Sequence, residues 1–167
     1  MQQNRVKRIL AEGGLAVGTH VGGIADPQIV ELIGLAGFDA AFIDMEHTSF
    51  DLHDVQLAVM AAERVGITPI VRTPGFDPAF ILRLLDMGVQ GVQVPHVSSA
   101  ETAREAVKKG AGARLALPLN HAAYPRNAAE LKELGAGYTN CAPTPEARLL
   151  HSLRAQAAEA RKLLGQT

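Results

Sequence analysis

The chain has 167 residues, 47% of them apolar and 20% charged, with a formal net charge of −1. That is the composition of a globular domain long enough to bury a sizeable core. A nucleic-acid partner is excluded by the lack of a basic surplus, and base stacking or a membrane-interface belt by an aromatic content of 4% with no Trp. Cys141 is the only cysteine, so no internal disulfide can form and a reducing cytoplasm is the default compartment. The opening MQQNRVKRILAEGG carries charges but no apolar signal core, and no apolar run approaches membrane-span length. The expectation is a soluble cytoplasmic protein with neither a membrane nor a nucleic-acid partner.

In chain order, Leu15 to Val21 predicts a strand. Asp26-Pro27 then supplies an N-cap and a first-turn Pro, opening a helix that stops near Gly37. Ala40 to Asp44 is the next strand, and Asp51 to Val65 a helix ended by Gly66. Thr68 to Thr73 is a strand, and Asp77-Pro78 caps a helix running to Met87 and Gly88. Gly91 to Val97 is a strand, followed by a helix from Ser98 or Ser99 to Lys109. Two further units follow: ARLALPL with a helix near Asn127 to Leu134, and GYTNCA with a helix from Pro145 to Leu164. Asp26, Asp51 and Asp77 read as helix caps only.

Strands this hydrophobic are buried on both faces, as in parallel sheets, and strand–helix alternation predicts right-handed βαβ units. The fold class expected is α/β: a shortened TIM-type (β/α) barrel of about six units, against eight and ~250 residues in a complete one. Such a barrel is either open or completed by oligomerisation. The whole chain, 1–167, reads as one barrel-like domain with a soft junction at Lys108 to Ala113.

The stretches GFDAAFIDMEHTSFDL, TPIVRT and DPAFILRLLDMGVQGVQVPHVSSAETAREAV carry a more specific signal. In order along the chain they give D-x-E-H after the second strand, V-R at the third, and L-D-x-G with V-P-x-V around the fourth. Together they resemble the HpcH/HpaI aldolase/citrate lyase family, and within it the class II, metal-dependent pyruvate aldolases of the 4-hydroxy-2-oxoheptanedioate type. The resemblance covers residues 1–109 as the family's N-terminal half. Residues 113–167 resemble its last two βα units, so the middle of the barrel is missing.

The resemblance implies a carbon–carbon lyase that cleaves 4-hydroxy-2-oxo acids to pyruvate and an aldehyde through a metal-stabilised enolate. The partner is then a small 2-oxo acid or pyruvate, and the assembly a homo-oligomer with an exchanged C-terminal helix. His47 matches the family's acid–base histidine, a residue type whose charge changes near neutrality. Arg72 is the catalytic and substrate-binding clamp, its planar fork suited to a carboxylate or enolate oxygen. Asp44, Glu46 and Asp86 are supporting candidates, with Asp44 or Asp86 orienting His47 or Arg72. The family also implies a divalent metal (Mg, Mn or Co), but the Glu and Asp that hold it have no counterpart here.

Two departures from the pattern add imidazoles at the same barrel end. His20 stands where the family usually has an aromatic, and His96 where V-P-x-V usually has Met. Both are weak metal-ligand candidates. His121 with Asn120 ends the fifth strand and is a further candidate for the pocket, while His53 and His151 read as helix-surface residues. Lys108 and Lys109 end a helix and give no support to a Schiff base. The alternative to the enzyme is a catalytically inactive barrel remnant that binds 2-oxo acids or serves as an interaction module.

Overall fold

The structure, a computed structural model, describes residues 3–96, 138–141 and 149–157. Its frame is a parallel sheet of β1 (Ala16–Val21), β2 (Ala40–Asp44), β3 (Thr68–Arg72), β4 (Gly91–Gln93) and β5 (Tyr138–Cys141). The strand order is β4-β3-β2-β1-β5. The helices α2 (Pro27–Leu35), α3 (Leu52–Val65) and α4 (Pro78–Asp86) make the crossovers, and a short α1 (Arg5–Ala11) precedes β1. Residues 149–157 are helical and exposed, His151 and the leucines at 149, 150 and 153 included. The helices described are all too short or too polar to cross a membrane.

The helices begin and end where the sequence signals stand. Asp26 and Asp77 each accept a backbone N–H two residues on, from Gln28 (2.8 Å) and Ala79 (2.9 Å), with Pro in the first turn. Asp51 and Asp54 form a reciprocal capping box, and α3 ends on Gly66 in the left-handed region (φ 72°). His53 is exposed beside that cap. Two departures from expectation exceed a residue or so. β4 stops at Gln93 rather than running to Val97, because Pro95 removes a donor and His96 has φ 57°, which no extended strand allows. α1 was not anticipated at all; Asn4 caps it by accepting from Lys7 N, and Val6 is its one buried residue.

Period-two alternation divides the sheet into an outer and an inner face. Val21, Ala41, Ile43, Val71 and Val92 point outward into the main core, against Ile29, Val30 and Ile33 of α2, Val55, Val59 and Ala62 of α3, and Ile81 and Leu84 of α4. Ala16, Ala40, Phe42 and Ile70 point inward and pack with Val6 of α1. The first helix therefore closes the floor, tied there by Asn4 Nδ2 donating to Gln90 O (2.9 Å) and Val6 N donating to Thr68 Oγ1 (3.1 Å). β5 lies against β1 in parallel, Ala16 opposite Tyr138 through Thr19 opposite Cys141. This is where the last strand of a closed (β/α) barrel stands relative to the first. The predicted units over 97–137 lie outside the described residues.

Candidate functional site

The inner face that puts Phe42 and Ile70 on the floor puts the next inward positions at the C-terminal rim. Register aligns His20 with Phe42, Asp44 with Arg72, and Arg72 with Gln93. Parallel barrels gather function at this end of the strands. Here it holds an acidic pair around a buried arginine. Arg72 Nε donates to Asp44 Oδ1 (2.8 Å) and Nη2 to Asp44 Oδ2 (2.6 Å), a bidentate fork. Glu46 Oε2 lies 3.1 Å from the same Nε. The side chains of Arg72, Glu46 and Asp44 are only 10%, 8% and 5% exposed. Phe42 lies beneath, its ring centroid 6.0 Å from the guanidinium carbon and 4.4 Å from the His20 ring.

The loop after β2 is folded by its own polar groups. Asp44 Oδ1 also accepts from Glu46 N (3.0 Å), and Asp44 O accepts a short hydrogen bond from Thr48 Oγ1. Thr48 Oγ1 in turn accepts from Phe50 N (3.3 Å). The turn carries Glu46 inward and His47 outward. His47 is 67% exposed with Nε2 3.6 Å from Glu46 Oε2. His96, 81% exposed, places its Nε2 2.9 Å from Glu46 Oε1. Glu46 thus stands between Arg72 and two imidazoles.

Burial alone would push the Asp44 carboxyl up. The hydrogen bond from Arg72, the Glu46 N–H and the charges of Arg72 and His20 outweigh it and hold that carboxyl below the usual range. The Arg72 guanidinium is correspondingly pushed up by its bond to Asp44, against its own desolvation, with the charges of Asp44 and Glu46 adding to the rise. Asp44 is therefore ionised at neutral pH and permanently matched to Arg72. Asp44 accepts both bonds of the Arg72 fork, the contact that one of its two expected roles, orienting Arg72, calls for.

Of the remaining sequence candidates, His20 lies in β1 within electrostatic range of Asp44. Asp86 is not part of the cluster. It is exposed on the last turn of α4, and a crossover helix in a parallel sheet ends at the opposite rim from Arg72. Asn120, His121, Lys108 and Lys109 lie outside the described residues. Thr48 was missed, though a hydroxyl two residues past D-x-E is a familiar turn former. The central position of Glu46 was also missed, because it lies past the end of β2, where strand alternation no longer says which way a side chain points.

The donor set was tested for a divalent cation. Among the described residues no group of three or more His, Cys, Asp or Glu is arranged to hold one. Both rim carboxylates are already turned onto the guanidinium. His20 and His96 therefore form no metal site with their described neighbours.

The HpcH/HpaI aldolase/citrate lyase family pattern matches residues 21–113. A hydroxypyruvate/pyruvate aldolase of Roseovarius nubinhibens is 38% identical over 133 residues, 73% of this chain and 51% of that protein. A 4-hydroxy-4-methyl-2-oxoglutarate aldolase of Chaetomium globosum is 38% identical over 106 residues, 63% of this chain and 39% of its own. The crystal structure of an HpcH/HpaI aldolase from Desulfitobacterium hafniense superposes with a TM-score of 0.61 at 31% identity, covering 79% of this chain and 53% of that one. The chain spans about half or less of the length of these curated relatives.

Proposed function

This chain belongs to the HpcH/HpaI aldolase/citrate lyase family, and from that premise we propose that it is a carbon–carbon lyase that cleaves 4-hydroxy-2-oxo acids to pyruvate and an aldehyde. The observation that carries the reading is the Asp44–Arg72–Glu46–His47 cluster at the strand rim. Arg72 is the anion clamp. Of the five N–H bonds of a guanidinium, two are engaged by Asp44, and the other three have no hydrogen-bond partner among the described residues and suit a substrate carboxylate or enolate oxygen. Asp44 fixes the plane of that fork before substrate arrives, so little orientation is lost on binding.

His47 is the base. Its imidazole takes the proton of the 4-hydroxyl as the C3–C4 bond breaks. The C4 oxygen becomes the aldehyde carbonyl, and the bonding pair moves onto C3 to give the enolate of pyruvate. The enolate oxygen faces Arg72, and C3 then recovers a proton from the imidazolium or from water, releasing pyruvate. The high exposure of His47 suits a group that exchanges protons with solvent between turnovers.

The family implies a divalent metal as the Lewis acid of this chemistry. The described residues do not fit one, because both rim carboxylates are turned onto Arg72. We read the substrate as a small 2-oxo acid, the compartment as cytoplasmic and the assembly as a homo-oligomer. Residues 1–109 are taken as the first half of one barrel-like domain and 113–167 as its end. The pairing of β5 with β1 supports this arrangement.

A second reading is favoured by the donor set: a barrel remnant that binds 2-oxo acids without turnover. One assay separates the two. Pyruvate release from 4-hydroxy-2-oxo acids is measured with Mg²⁺, Mn²⁺, Co²⁺ or EDTA, with His47→Ala as control. Release that vanishes in His47→Ala supports the lyase. No release under any condition, with pyruvate or oxamate still raising the melting temperature, supports the remnant and overturns the lyase.

A further inference from the structure

We propose that His96 is a positioning residue that acts through Glu46 on both Arg72 and His47. The proposal rests on the lyase reading for its kinetic consequences, but its geometry stands apart from it. Glu46 is the rim carboxylate whose two oxygens reach three different side chains. Oε1 lies 2.9 Å from His96 Nε2, and Oε2 lies 3.1 Å from Arg72 Nε and 3.6 Å from His47 Nε2. The two oxygens belong to one rigid planar group, so holding Oε1 restricts where Oε2 can go. His96 thereby sets where Oε2 sits between the clamp and the base.

The backbone carries the second observation. His96 is the only described non-glycine residue with positive φ, at 57°. A residue with a Cβ enters that region at a cost, and such conformations persist where the surroundings over-determine them. Pro95 precedes it, and β4 has already ended at Gln93, so the chain gives up strand pairing here and turns the imidazole back onto Glu46. Most of the His96 side chain is exposed, so apolar burial does not explain the conformation.

The third is the division of the two imidazoles across Glu46, His96 on Oε1 and His47 towards Oε2. An imidazole–carboxylate–imidazole bridge divides the two duties: His96 anchors and His47 reacts.

The test uses the full chain with His96→Ala and His96→Gln, the latter keeping an N–H donor at the reach of Nε2. The side chain is exposed, so neither change threatens folding. In ¹⁵N spectra, the His47 ring nitrogens and the Arg72 Nε–H should shift in His96→Ala and return towards wild type in His96→Gln, while His53 stays unmoved. In the pyruvate-release assay, kcat should fall about ten- to a hundredfold in His96→Ala with KM within about twofold, and His96→Gln should recover most of it. Unmoved His47 and Arg72 signals in His96→Ala overturn the proposal, as does a His96→Gln that behaves like Ala. If wild type releases no pyruvate, the lyase reading fails on its own and the spectra still decide the role of His96.

Discussion

Replacing Arg72 by Met should be among the most damaging single changes available to this fold. The substitution keeps the aliphatic stem over Phe42 and removes the guanidinium. It strands Asp44 and Glu46, two carboxylates nearly out of solvent, next to one another. Breaking a buried ion pair from one side costs about 3–5 kcal/mol, since the remaining charge stays desolvated. Asp44 keeps the Glu46 N–H and the nearby His20, so the low end, about 3 kcal/mol, is expected. For a chain of this length that lowers the melting temperature by roughly 6–12 °C. Urea unfolding followed by far-UV circular dichroism at neutral pH would measure it, in a cycle with Asp44→Asn. The two changes should be coupled by at least about 1 kcal/mol because they share the fork. A loss under 1 kcal/mol for Arg72→Met, or additive single and double mutants, would refute the claim that the fork organises the rim.

Asp44 also predicts an acid limb. Its carboxyl lies below the ordinary range when folded and returns to it when unfolded, so its stabilisation is complete above the ordinary carboxylate value of about 3.9. It fades as pH falls through that value towards the folded one, and Asp44→Asn should flatten stability against pH in that window and leave the slope above about pH 6 unchanged. Gly34→Ala should destabilise by about 1–3 kcal/mol in thermal melts, despite the better helix propensity of Ala. A Cβ there would lie 2.3 Å from Val65 Cγ2 and 2.8 Å from Val65 Cβ, where α2 crosses α3; the pair Gly34→Ala with Val65→Ala should recover part of the loss. Asp51→Ala removes one half of the α3 capping box and should cost about 1 kcal/mol by chemical denaturation, with pyruvate binding retained. His47→Ala, by contrast, should abolish pyruvate release at unchanged melting temperature, because that side chain is mostly in solvent.

Much of the frame could be read before any coordinates, because local chemistry decides it. Asp26-Pro27, Asp51 and Asp77-Pro78 start helices by satisfying backbone donors close by in sequence, and Gly66 ends one through a conformation other residues resist. The motif residues Asp44, Glu46, His47 and Arg72 fall together because alternation along β2 and β3 and the parallel register bring them to one rim. What stayed illegible depends on distant partners. α1 is seven residues long with one buried side chain, so its place is set by Gln90 and Thr68 rather than by its own pattern. β4 ends early through a backbone angle at His96 that the motif does not reveal. Asp86 was placed near the site from its position in L-D-x-G. The direction of a crossover helix carries it to the other end, and that much topology alone could have said.

The pairing of β5 with β1 has a kinetic meaning as well as a spatial one. β1, β2, β3 and β4 each meet their neighbour after a single crossover, so they can assemble in the order of synthesis. β1 meets β5 only once residues 138–141 have been made. Until then the β1 edge offers unpaired backbone donors and acceptors to any other extended segment. That edge, rather than the rim, is where chains caught before β5 docks would stick to one another.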